Sequence, residues 1–124
     1  MNIAETPTSL CLKKDVGQFE VAYQNVMEVC QGGPEIGNLS INGEEIEGRR
    51  FGGPFIARND LILIPEFKRK LIRSGFVLCE IDLASRSVKV KSKILPLIFL
   101  DRLEGNRVFF FEDLEKTSES FVEI

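Results

Sequence analysis

Glu44-Glu45-Ile46-Glu47 and Glu112-Asp113-Leu114-Glu115 are the acidic clusters of this chain, and Lys68-Arg69-Lys70-Leu71-Ile72-Arg73 is their basic counterpart. Paired carboxylates can do general acid–base work, and clustered ones can also complement the cationic side chains of a partner. There is no histidine, so the usual general base and the commonest metal ligand are both missing. Cys11, Cys30 and Cys79 are odd in number, far apart and without a CxxC pair. They read as free thiols acting as small buried hydrophobes in a reducing compartment. No Gly-x-Ser-x-Gly elbow, dinucleotide fingerprint or calcium loop occurs. The Gly-Gly-Pro at 32–34 and 52–54 marks a break, because proline removes a donor and no Gly-Lys-Ser/Thr follows. The expectation is a protein that is not an enzyme and uses no cofactor or metal. Glu44, Glu45, Glu47, Glu112, Asp113 and Glu115 are then candidate partner-binding residues, set against the default of a solvated hairpin face.

Charge is unevenly spread. Residues 1–48 carry 2 basic and 8 acidic side chains, residues 49–93 carry 11 and 4, and residues 94–124 carry 3 and 7, around a net charge of −3. If these segments stay apart in the fold, the surface has acidic and basic patches, either of which can steer a charged partner. The basic segment 68–73 lies between a strand ending near Phe67 and one starting near Gly75. It reads as an exposed connecting loop. A nucleic-acid or small-ligand role for it is the alternative functional reading, although no stacking platform or nucleic-acid motif accompanies it.

These residues must be positioned by strands. At 124 residues the chain is expected to be one domain, 1–124, with a single core. Asn42-Gly43 between alternating apolar residues signals a tight hairpin, because both turn positions of that type need positive φ. Leu61–Ile64, Phe76–Leu83, Ser87–Lys91, Ile94–Leu103, Asn106–Glu112 and Phe121–Ile124 read as further strands. In Phe109-Phe110-Phe111 the middle ring must point opposite to the other two. At least one Phe then faces a second packed layer or serves as an exposed anchor beside Glu112-Asp113. Asp15–Gln31 is the one helix candidate, with Phe19, Ala22, Tyr23, Val26, Met27 and Cys30 at helical spacing. Phe19–Tyr23 also alternates as a strand would. Residues 1–9 are polar and expected to fray. Met1–Lys14 has no signal-peptide pattern, and the longest apolar run is seven residues, Ile94–Leu100. These features predict a cytoplasmic protein with no membrane association.

Gly53–Leu61 and Leu95–Leu103 share a Pro-x-Ile-x-x-Asn/Asp-x-Leu pattern 42 residues apart. That period is close to the length of a propeller blade. The fold class is therefore mainly β and built of antiparallel hairpins. It is arranged either as an open half-propeller-like array of blades, or as a β-sandwich or barrel with one N-terminal helix. If the repeat is structural, Pro54 and Pro96 occupy equivalent strand starts.

The organisation from Gly52-Gly53-Pro54 through Glu112-Asp113-Leu114, with acidic ends and no catalytic set, resembles the small immunity proteins of bacterial toxin systems of the contact-dependent growth inhibition type. The resemblance implies a stoichiometric, cofactor-free inhibitor. Its partner would be a cognate toxin, typically a basic nuclease domain covered by acidic surface, and nucleic acid is the less favoured partner. The basic middle segment departs from a uniformly acidic inhibitor and leaves the binding face open.

Overall fold

A computed structural model describes residues 5–124 and consists of strands, turns and loops. The strands are β1 (Lys13–Val16), β2 (Phe19–Glu28), β3 (Glu35–Ile41), β4 (Glu44–Glu45), β5 (Arg50–Phe51), β6 (Ile56–Arg58), β7 (Leu61–Lys68), β8 (Gly75–Asp82), β9 (Val88–Val90), β10 (Phe99–Glu104), β11 (Arg107–Phe111) and β12 (Glu119–Glu123). Nine of them form an open antiparallel sheet in the order β1-β2-β3-β5-β7-β8-β9, with β4 beside β3 and β6 beside β7. The other three form a separate sheet, β10-β11-β12. The mainly-β, antiparallel-hairpin expectation is correct. The strands are shared between a large and a small sheet, not divided into a row of four-stranded blades.

The helix expected over 15–31 is instead extended chain: the end of β1, a tight turn and the whole of β2. Gly17, at φ +60°, turns the chain between the two strands. Phe19, Val21 and Tyr23 then point inward in strict alternation. At Asn25, φ +53°, the register against β3 shifts between Gln24 and Met27. This bulge adds one residue and returns Val26 to the inward face three positions after Tyr23. An interrupted period of two thus imitates a period of 3.6, and the β-branched Val16, Val21 and Val26 suit the strand better.

The proline repeat does not survive as a structural repeat. In the first copy Asn59 sits in the β6–β7 turn with φ +54°, whereas Asp101, its counterpart, lies inside β10. Pro54 follows a cis peptide bond ahead of β6, and Pro96 lies in the linker ahead of β10. The Asn42-Gly43 hairpin does form, with φ of +52° and +82° joining β3 to β4. Of the segment 1–9 expected to fray, residues 1–4 lie outside the described residues. The remainder is anchored: Thr6 and Ser9 form a bridge, Glu35 N donates to Pro7 O at 2.7 Å, and Leu10 N donates to Glu35 Oε1 at 2.9 Å.

Two cores result. The large sheet curls one face around Val21, Tyr23, Leu39, Ile41, Phe51, Ile62, Ile64, Cys79 and Ile81. Tyr23 adds a 2.7 Å hydrogen bond from its hydroxyl to Gly52 O. Burial raises that phenol's pKa well above the ordinary tyrosine range. On the opposite face of β7 and β8, Leu63, Phe76 and Leu78 pack with Leu97, Ile98, Leu100, Val108 and Phe110. These last two residues belong to the inner face of the small sheet. Strands β7 and β8 are therefore buried on both faces, which explains their near-continuous apolar sequence.

Candidate functional site

The basic and acidic segments meet the fold differently. Lys68 ends β7, and Arg69–Ser74 form the connection to β8, as the sequence predicts. Beside it, Met27, Ile36, Arg49, Arg50, Phe67 and Arg69 line a cleft of about 420 Å³. At the floor lies a group that sequence reasoning missed. Glu66 is 2% exposed, on the core-facing side of β7. Its Oε1 accepts from Arg49 Nη1 at 2.9 Å and from Cys79 Sγ at 3.2 Å, and Lys68 Nζ is 3.4 Å from Oε2. A buried carboxylate persists only when it is paired and hydrogen-bonded, and both conditions hold here. The sequence signal was a lone acid in an apolar strand, with Lys68 two residues on and so on the same face. Burial, then the hydrogen bond to Glu66, pushes the Cys79 thiol up to about 12. Cys79 is an inert structural thiol. Cys11 is half-buried and Cys30 exposed, so only one of the three fits the expectation of a buried hydrophobe, and all three are unbridged.

The two acidic clusters stand on different sheets. Glu44 and Glu45 form β4 and Glu47 lies just beyond it, all exposed at the edge of the β3–β4 hairpin. Arg86 Nη2 pairs with Glu44 Oε2 at 2.8 Å. Glu45 and Glu47 have no ion pair among the described residues. Glu112, Asp113 and Glu115 lie in the β11–β12 connection. Asp113 is occupied locally: its carboxylate accepts from the Thr117 hydroxyl, from Thr117 N at 3.0 Å and from Ser118 N at 3.0 Å. These bonds, the Thr117 hydroxyl first, hold its pKa below the usual aspartate value. Asp113 therefore shapes the turn. Glu112 accepts from Ser120 Oγ at 2.6 Å, and Glu115 is exposed.

The small sheet brings an aromatic surface to this acidic region. Phe110 is 1% exposed in the second core, while Phe109 points to the open face. There it pairs across strands with Phe121, which is 49% exposed, at a ring separation of 5.6 Å. Arg102 lies 4.1 Å over Phe109, and Arg107 lies 4.9 Å over Phe121. Arg102 also binds Glu104, Asp101 and Glu119, and hydrogen bonding to Glu104 and then Asp101 raises its already high pKa further. Arg107 pairs with Glu123 at 3.4 Å. Phe121 and Glu112 also line one groove of about 350 Å³, together with Ser92, Lys93 and Ser120. No ring of the Phe run is itself exposed: Phe109 and Phe111 are half-buried, and the exposed aromatic of this sheet is Phe121. Sequence reasoning identified the run but not Phe121, Glu119 or Glu123, because cross-strand register is not visible in a single segment.

Comparison with known proteins returns no match to a family model, a curated protein or a solved structure.

Proposed function

We propose that this chain is a stoichiometric inhibitor of a basic protein, acting in the cytoplasm as an immunity protein against a toxin domain of the nuclease type. The observation that carries this reading is the open face of the small sheet. Phe121, half-exposed and tilted against Phe109, is set among Glu104, Glu119 and Glu123. An aromatic anchor held in place by a cross-strand partner loses little side-chain entropy on docking, and aromatic residues dominate interface energetics. The carboxylates around it, which outnumber Arg102 and Arg107, with which they pair, would also meet the Lys and Arg side chains with which a nuclease holds phosphate. That complementarity speeds encounter and makes it salt-sensitive. Glu115 is exposed in the β11–β12 connection that Asp113 shapes, Glu112 lines the groove on the other face of the sheet, and Glu44, Glu45 and Glu47 form a second acidic patch on the large sheet.

The test is whether this chain protects cells that express the protein encoded by the neighbouring reading frame, together with its affinity for that protein. Reversal of Glu104, Glu119 and Glu123 to Lys is expected to weaken binding and protection. Reversal of Glu44, Glu45 and Glu47 shows whether the second patch contributes. If both reversals bind and protect like the parent, the acidic surfaces are not the docking site.

A further inference from the structure

The β7–β8 connection ends in two aliphatic side chains that pack against nothing. Leu71 is 102% exposed and Ile72 97%. They lie between Lys68, Arg69 and Lys70 on one side and Arg73 on the other. Arg49 and Arg50 reach the cleft that Lys68 and Arg69 also line, so the basic surface continues from the tip into the body of the sheet. Met27, 48% exposed, borders the same cleft. The carboxylates at this end are engaged: Glu66 is buried with Arg49 and Lys68, Glu28 accepts from Gly32 N at 2.8 Å, and Glu35 accepts from Leu10 N. The end of the molecule that carries the tip is thus locally cationic although the chain is net acidic.

We propose that the β7–β8 tip docks on an anionic lipid bilayer, with Leu71 and Ile72 entering the interface and Lys68, Arg69, Lys70 and Arg73 facing the lipid phosphates. Two aliphatic groups at the front of a cationic ring match the layering of a bilayer surface, where charge lies outside hydrocarbon. A nucleic-acid backbone would use the cations but has no place for two leading aliphatic side chains. The nearby ring, Phe67, is half-buried, with Arg69 5.9 Å from its centroid and Phe76 packed against it at 5.5 Å, so no fully exposed stacking platform accompanies the tip. Each Lys or Arg near such a surface strengthens binding by about fivefold. The insertion of two side chains alone gives weak, reversible contact, so the attraction should depend strongly on lipid charge and on salt. This inference goes beyond the proposed inhibitor function and stands or falls independently of it.

The chain contains no tryptophan, so a full-length Leu71→Trp variant carries one reporter at the tip. Vesicles of phosphatidylcholine containing phosphatidylserine should blue-shift and brighten its emission, and high salt should reverse the change. Pure phosphatidylcholine vesicles should have little effect. Unaltered protein should sediment with the anionic vesicles, and Lys70→Glu/Arg73→Glu should reduce that binding about tenfold or more. Because these positions are exposed, denaturation midpoints should match the parent, which separates lost binding from lost folding. The proposal is overturned by an unchanged emission with anionic vesicles, or by equal binding to neutral ones. It is also overturned by a response to a DNA or RNA oligonucleotide in place of vesicles, or by a concentration-dependent shift without lipid, which marks self-association.

Discussion

Strands β8 and β11 are both central strands with alternating side chains, yet they are buried differently. In β8, Phe76 and Leu78 enter one core while Val77, Cys79 and Ile81 enter the other. In β11, Val108 and Phe110 are buried, whereas Arg107 is exposed and Phe109 and Phe111 are half-buried. The large sheet thus spends both faces of its central strands on packing. The small sheet spends one, and presents rings and charges on the other. Recognition has room on the small sheet and at the turns of the large one, but not on the faces of β7 and β8.

The sharpest way to break this comparison is to truncate the same residue type on the two faces of the small sheet. Phe110→Ala removes a fully buried ring and should cost about 3–5 kcal/mol in urea denaturation. Phe121→Ala should change stability by about 1 kcal/mol or less, while weakening a protein partner by about 2 kcal/mol or more. Equal stability losses would mean that the outer face is structural as well.

The next effect concerns the charge buried in the large sheet. Removing one partner of a fully buried pair costs about 3–5 kcal/mol, but Arg49 is partly reached by solvent, so Arg49→Met should cost about 2 kcal/mol. Glu66→Gln should cost less, because the cations left behind can reach water, while Glu66, 2% exposed and left with Lys68 and the Cys79 thiol, cannot. The reverse order of denaturation midpoints would contradict this account of the cleft floor.

How far the sequence led depends on where each signal resides. The Asn42-Gly43 hairpin was legible because its turn demands positive φ at two adjacent residues, which few side chains supply. The helix over 15–31 was misread because the bulge at Asn25 is set by pairing with β3, a distant segment. The 42-residue repeat misled because shared Pro, Ile and Leu say nothing of whether Asn59 or Asp101 turns the chain. The acidic clusters were visible, but local hydrogen bonding decided that Asp113 shapes a turn. The open aromatic face needed the register of β11 against β12, which places Phe121 on Phe109.

Smaller effects separate the sheets by pH. The Cys79 thiol is held above its ordinary value in the fold, so the unfolded chain loses that proton first. Its contribution is fully present below about pH 9 and is lost as pH rises toward about 12. Cys79→Val should flatten this alkaline slope. At neutral pH an aromatic disulfide reagent should modify exposed Cys30 quickly and buried Cys79 only on unfolding. The Asp113 carboxyl is shifted the other way. Its contribution is present above the unfolded value of about 3.9 and is lost as pH falls through the lower folded value. Asp113→Asn should reduce that acid-side loss, the smallest change of the set, read from denaturation midpoints across the acid range.

The central claim, that the open face of the small sheet receives a basic protein, is tested most directly by titrating the protein encoded by the neighbouring reading frame into parent protein and into Phe121→Ala, by calorimetry at low and moderate salt. The account predicts a one-to-one complex with the parent, weakened by salt, and an affinity about 30-fold lower for Phe121→Ala. An unaltered affinity for Phe121→Ala in a folded protein, or no complex with the parent, would contradict it.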